Sequence, residues 1–235
     1  MTFNLIGTGL NEKSITLEAL ELIKKSAKVY LENYTVDFPY EKVKLEKVID
    51  KKIEELPREK VESEDFIKQA KKEDISLLVY GDSLSATTHS ELILSCKKNK
   101  IPFRIVHNAS VLTAIAETGL QLYKFGKTAS MPTWKENWKP ESFTDLIKQN
   151  LSIQAHTLLL VDIALPMEKS KQQLTETFKN QNIQIEKIIV CSNLGNKSEL
   201  IYDKIENISN KVKQPFCFII PSKLHFLEEE YLKNL

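Results

Sequence analysis

At 235 residues the chain is long enough for one large α/β domain or two compact ones, with a core that needs no covalent staples. Lys plus Arg number 33 against 32 for Asp plus Glu, so no global field draws the molecule to nucleic acid or an anionic membrane, and neither is expected as a partner. Arg58 and Arg104 are the only arginines, which argues against phosphate recognition by an arginine cluster. Cys96, Cys191 and Cys217 lie far apart without CxxC spacing, and His89, His107, His156 and His225 follow no HxxxH or HExxH pattern. Neither a disulfide framework nor a metal site is expected. Met1 runs directly into a predicted strand, with no basic leader and no long apolar segment, so a cytoplasmic location is expected.

Phe3 to Ile6 reads as a short strand feeding Gly7-Thr8-Gly9-Leu10, and Thr16 opens a helix with Leu17, Leu20 and Ile23 on one face. The glycines resemble the start of a dinucleotide fingerprint. The third glycine is missing, however, and about six residues separate Leu10 from the helix, so no helix N-terminus is placed to take a pyrophosphate. Val29 to Leu31 is a second strand ending in Glu32-Asn33-Tyr34-Thr35. A helix is predicted over 41–49, a strand over 52–56 and a charged amphipathic helix over 64–72. Ile75 to Val79 is a fully buried strand. It delivers Tyr80-Gly81-Asp82-Ser83-Leu84-Ser85-Ala86-Thr87-Thr88-His89, after which helical spacing resumes over 90–99. The strand Phe103 to Val106 ends at His107-Asn108-Ala109-Ser110.

Strands alternating with helices at this spacing imply a parallel sheet. Four polar stretches, 7–10, 32–35, 81–89 and 107–110, then fall together at strand carboxyl ends, where open α/β sheets place their ligand crevices. The rhythm changes after Gly119 to Lys127. Met131 to Pro140 carries both tryptophans and two prolines and reads as a structured loop that either clasps a partner or covers the core. Helices over 142–150, 168–180 and 198–206, strands over 156–162, 187–191 and 216–220, and a last helix from Lys223 complete the prediction. The expected organisation is α/β with two domains, 1–111 and 112–235.

Gly81-Asp82-Ser83-Leu84 spells the signature of a serine esterase family that pairs this serine with a late Asp-x-x-His. The residue three before His225 is Ser222, and the motif follows the fourth strand instead of opening the chain. A serine hydroxyl without a positioned base is a poor nucleophile, so hydrolysis is kept only as an alternative.

A second resemblance spans nearly the whole chain. Gly7-x-Gly9-Leu10, Glu32-x-Tyr34-Thr35, Gly81-Asp82-x-Leu84-x-Ala86-Thr87-Thr88-His89, His107-x-x-Ser110, Gly119-Leu120, Tyr123-Lys124-Phe125-Gly126-Lys127, Asn137-Trp138-x-Pro140, His156-Thr157-Leu158-Leu159 and Lys223-Leu224-His225 resemble the diphthine synthase family. That family lies within the tetrapyrrole-methylase-like class of S-adenosylmethionine (AdoMet) methyltransferases. The resemblance implies a two-domain α/β homodimer with AdoMet in the cleft between domains and S-adenosylhomocysteine as product. It also implies methylation of the amino group of a 3-amino-3-carboxypropyl histidine on translation elongation factor 2, in diphthamide biosynthesis. Carried over by position, the cofactor contacts are Leu10, Asp82, Ser85, Ser110, Val111, Val161, Leu194 and Phe216, the last standing where the family often has a histidine.

These residue types suit the ligand. Asp82 accepts hydrogens, Ser85 and Ser110 add short polar groups, and Leu10, Val111 and Val161 can pack against adenine and the thioether arm. Asp82 as a helix cap, and the aliphatic residues as ordinary core, stand as the plainer readings. No metal is required, and His89, Glu32 and Tyr34 are polar neighbours with no catalytic assignment. Two other functions are kept open: a methyltransferase of the same class acting on a tetrapyrrole or other small molecule, and a module that holds AdoMet without turnover.

Overall fold

A computed structural model describes all residues from Met1 to Leu235. The chain forms two compact units, Met1–Leu112 and Thr113–Leu235. In the first, the order is β1 (Phe3–Gly7), α1 (Leu17–Lys25), β2 (Lys28–Glu32), α2 (Lys42–Ile49), β3 (Glu54–Leu56), α3 (Arg58–Glu62), β4 (Ile75–Val79), α4 (Ser90–Lys98) and β5 (Phe103–Val106). The five strands are parallel in the order β3-β2-β4-β1-β5.

β1 and β4 are buried along their whole length because both faces of the sheet are covered, which is why they read as mainly apolar runs, each with one buried polar residue, Asn4 and Ser76. Alternation then divides their side chains between two cores. Phe3, Leu5, Ile75, Leu77 and Val79 pack on one face with Tyr30, Phe66 and Leu92, whereas Ile6 and Leu78 pack on the other with Ile23, Leu45 and Val106. Thr16 caps α1 by accepting the Ala19 amide at 3.1 Å. The buried face of α1 carries Ala19 and Ile23, while Leu17, expected on that face, is 81% exposed in the first turn.

The segment expected to be an α-helix over 64–72 is a 3-10 helix over Asp65–Lys71, and the short α3 before it was not expected. Glu64, the residue before the 3-10 helix, stands in the left-handed region at φ 59°, which breaks the helical backbone between the two.

In the second unit the elements are β6 (Ala129–Met131), α6 (Phe143–Ser152), β7 (Thr157–Val161), α7 (Met167–Asn180), β8 (Ile188–Ser192), β9 (Glu199–Asp203), β10 (Phe216–Ile220) and α8 (Phe226–Leu232); the short α5 (Val111–Ala114) spans the boundary. The sheet order is β6-β7-β10-β8-β9, with β6 parallel to β7 and the other pairs antiparallel. The helix expected over 198–206 is instead β9 followed by a single 3-10 turn. β9 is a half-buried edge strand pairing Tyr202 with Ile189 and Leu200 with Cys191. The last helix starts at Phe226, three residues later than expected, because His225 is its cap. No helix is long and apolar enough to cross a membrane.

Leu77 is fully buried at the centre of the parallel sheet. Leu77→Ala is expected to cost about 3 kcal/mol by removing buried methyl groups and leaving a cavity, which denaturant unfolding followed by circular dichroism measures.

Candidate active site

Because the first sheet is parallel, the segments after β1, β2, β4 and β5 leave from one edge. The loops after β1 and β4 are zipped together there. The Gly9 amide donates to the Gly81 carbonyl and the Gly81 amide to the Gly9 carbonyl, both at 3.0 Å. Gly9 and Gly81 have φ of 74° and 71°, a region closed to most side chains. A Cβ on Gly9 would also lie 2.5 Å from the Ser14 side chain. Leu10 follows, buried, its carbonyl accepting the Tyr80 hydroxyl at 3.1 Å.

Asp82 ties this pair of loops to the one after β5. Its Oδ1 accepts the Leu84 amide at 3.0 Å and the Ser85 hydroxyl at 3.1 Å; its Oδ2 lies 2.8 Å from His107 Nδ1 and accepts the Asn108 amide at 3.0 Å. Burial opposes its ionisation, but the Leu84 and Asn108 amides, His107 and the Ser85 hydroxyl outweigh that, and the carboxyl titrates below its ordinary range. Asn108 extends the network by donating to the carbonyls of Gly7 and Ser14. The plainer expectation for Asp82 is corrected here: α4 starts at Ser90, so Asp82 caps no helix.

Ser83 does not fit a nucleophile. Its Oγ is fully buried without a hydrogen-bond partner, and His89 Nδ1 meets the Ser83 backbone carbonyl at 3.3 Å instead of the hydroxyl. That carbonyl requires a proton on Nδ1, and burial pushes the His89 imidazole below its usual range, so it stays neutral. Glu32, wholly buried at the end of β2, is pushed up by burial although the Thr35 hydroxyl and the amides of Tyr34 and Thr35 all donate to it.

The structure thus brings Leu10, Asp82, Ser85, Ser110 and Val111 to one edge of the first sheet, with Ser110 buried and Ser85 and Val111 half-buried. In the second unit, Val161, Leu194 and Phe216 share one end of the mixed sheet. Phe216 opens β10 opposite Ser192, and Val161 closes β7 next to Leu160, the partner of Cys217. Leu194 and Phe216 are buried, and Phe216 packs on Phe218 with ring centroids 5.6 Å apart.

At the opposite end of that mixed sheet lies a cluster that sequence reasoning did not locate. Glu228 is fully buried and accepts the amides of Gln121 at 3.0 Å and His225 at 2.7 Å, together with the Lys124 ammonium. His156 Nδ1 accepts the Ser222 amide at 2.9 Å, which fixes the proton on Nε2, 3.4 Å from Glu228. The Tyr-Lys-Phe-Gly-Lys, His-Thr-Leu-Leu and Lys-Leu-His blocks therefore meet around one carboxylate. Burial raises Glu228, but the His225 amide, Lys124 and the Gln121 amide outweigh it and hold the carboxyl at about 2.

Residues 2–208 match the family model described as tetrapyrrole (corrin/porphyrin) methylases. A diphthine synthase of Methanocaldococcus jannaschii is 40% identical over 98% of this chain and 97% of its own length. A diphthine methyl ester synthase of Schizosaccharomyces pombe is 47% identical over 68% of this chain, which spans only 58% of that relative's length. A crystal structure of a diphthine synthase superposes with a TM-score of 0.90 at 30% identity, covering 100% of this chain and 95% of the other. The chain belongs to the tetrapyrrole methylase family and, within it, to the diphthine synthases.

Since the Glu228 carboxyl falls from an ordinary 4.5 to about 2 on folding, its contribution is full above pH 4.5 and is lost as the pH drops towards 2. Glu228→Gln is expected to lose roughly 3 kcal/mol at neutral pH by leaving Lys124 unpaired. It should also show a shallower loss of stability across that acid window, as followed by urea unfolding at a series of pH values.

Proposed function

We propose that the chain is an AdoMet-dependent methyltransferase that methylates the amino group of the 3-amino-3-carboxypropyl histidine of elongation factor 2, the diphthine synthase reaction. The observation that carries this reading is the 40% identity to a diphthine synthase along 97% of that protein. We further propose that it works in the cytoplasm as a homodimer and releases S-adenosylhomocysteine.

The residues present suit the cofactor. Gly9 and Gly81 keep the backbone bare at the sheet edge, and a Cβ on Gly81 would meet Ser110 and Ala109 at ordinary contact distance. Ser85 and Ser110 offer hydroxyls and Leu10 and Val111 apolar contact in the first unit, with Val161, Leu194 and Phe216 the proposed contacts from the second. Phe216 brings ring packing where the family often has an imidazole. AdoMet supplies a methyl group already activated on a sulfonium, so the protein's contribution is alignment of the amine and exclusion of water. Asp82 contributes through shape, because four internal donors fill its acceptor sites and fix the loops that carry Ser85 and Ser110.

Incubation of the protein with AdoMet and elongation factor 2 bearing the aminocarboxypropyl histidine should add methyl groups to the amine, read by peptide mass spectrometry. Absence of methyl addition on a competent substrate would remove the proposal, and methylation of a tetrapyrrole instead would favour the same-class alternative. Asp82→Ala is expected to weaken AdoMet binding about tenfold or more in a calorimetric titration, the equivalent of one or two lost hydrogen bonds, while the fold persists.

A further inference from the structure

Methyl transfer to an amine needs the nitrogen lone pair free, so the proton that an ammonium carries at neutral pH has to leave, and a basic protein group beside the amine speeds that loss over transfer to water alone. The four histidines differ sharply in their capacity to do so. His89 is 2% exposed and points Nδ1 at a carbonyl beneath the loop. His156 is buried between Ser222 and Glu228 at the far end of the second sheet. His225 caps α8, accepting the Leu227 amide on Nδ1.

His107 is the exception. Its Nδ1 lies 2.8 Å from Asp82 Oδ2, and an ionised carboxylate only accepts, so Nδ1 carries a proton and the lone pair of the neutral imidazole is on Nε2. The His107 side chain is 69% exposed while Asp82 is 8% exposed, so the imidazole is anchored on one side and open on the other. It stands three residues before Ser110, in the loop that carries that proposed cofactor contact and leads into Val111, another.

We propose that His107, oriented by Asp82, is the proton acceptor for the substrate amine, an assignment that rests on the methyltransferase reading. An N–H bond of the substrate ammonium breaks and its proton bonds to Nε2, giving an imidazolium whose charge the Asp82 carboxylate balances. The electron pair left on nitrogen forms the new N–CH3 bond as the C–S bond of the donor breaks with its electrons retained by sulfur. The proton on Nε2 then passes to water, freeing the base for a further methylation. Asp82 is the charged group packed against His107, and its neighbours Asn108 and Ser110 are neutral.

The test is His107→Asn, whose amide reproduces the donor to Asp82 but has no basic nitrogen. Single-turnover methylation of elongation factor 2 carrying the aminocarboxypropyl histidine should slow about 100-fold at neutral pH, in the range of lost general-base catalysis. The deficit should narrow as the pH rises and the amine deprotonates unaided, and added imidazole should restore part of the rate. AdoMet affinity should stay within about twofold of wild type, the sign that a transition-state contribution was removed. Nitrogen-15 NMR of the free protein should show the Nδ1-protonated tautomer of His107. A wild-type rate in His107→Asn, or an Nε2-protonated tautomer, would overturn the assignment and leave the methyltransferase reading intact. A wild-type protein that transfers no methyl group would remove both.

Discussion

Three loops that are far apart in the chain meet at the edge of the first sheet, and one carboxylate holds them. Asp82 receives two donors from its own loop and two from the loop after β5, while Asn108, itself bound to Asp82, reaches back to the loop after β1. A buried carboxylate is costly unless its acceptor sites are filled, and here they are filled by groups whose positions define the site. The charge and the geometry are therefore the same fact: the network keeps Asp82 ionised, and the ionised Asp82 keeps the network in register.

The parallel sheet makes this possible. β4, β1 and β5 lie side by side, so their carboxyl ends deliver Asp82, Gly9 and His107 to one edge although Asp82 and His107 are 25 residues apart. The reciprocal Gly9–Gly81 bonds extend the ladder beyond the strands with left-handed backbone that glycine adopts without the cost a side chain would add. The second unit holds two distinct groups of residues at the two ends of its strands. Its mixed sheet carries Val161, Leu194 and Phe216 at one end and the Glu228 cluster at the other, where the buried ion pair with Lys124 links α8 to the segment before β6.

Much of this was open to inspection in the residues alone. Ile75–Val79, Phe103–Val106 and Phe216–Ile220 are short, mostly apolar runs bounded by polar residues or prolines, and the structure has strands at those bounds. The gathering of four polar stretches at one sheet edge follows from strand-helix alternation, and it came out as expected. Glu199–Asp203 failed because an edge strand exposed on one side, in a charged sequence, has no strong period of its own; pairing with β8 decides it. The helix expected over 64–72 is present in 3-10 form, while Arg58–Glu62 before it was missed because a densely charged stretch hides the phase break at Glu64. The Asp82–His107 pair was hidden for a different reason. Nothing local marks a contact across 25 residues, and only the strand order creates it. The family blocks around Lys124, His156 and His225 were visible as motifs, but their common partner, Glu228, lay outside them all.

We propose that the loops after β1, β4 and β5, held together by Asp82, form one platform for the cofactor. Amide hydrogen exchange of the whole protein with and without AdoMet tests it most directly. The account predicts that segments 7–12, 81–89 and 107–111 gain protection together on addition of AdoMet. Protection confined to other segments, with these three exchanging as they do without AdoMet, would contradict it.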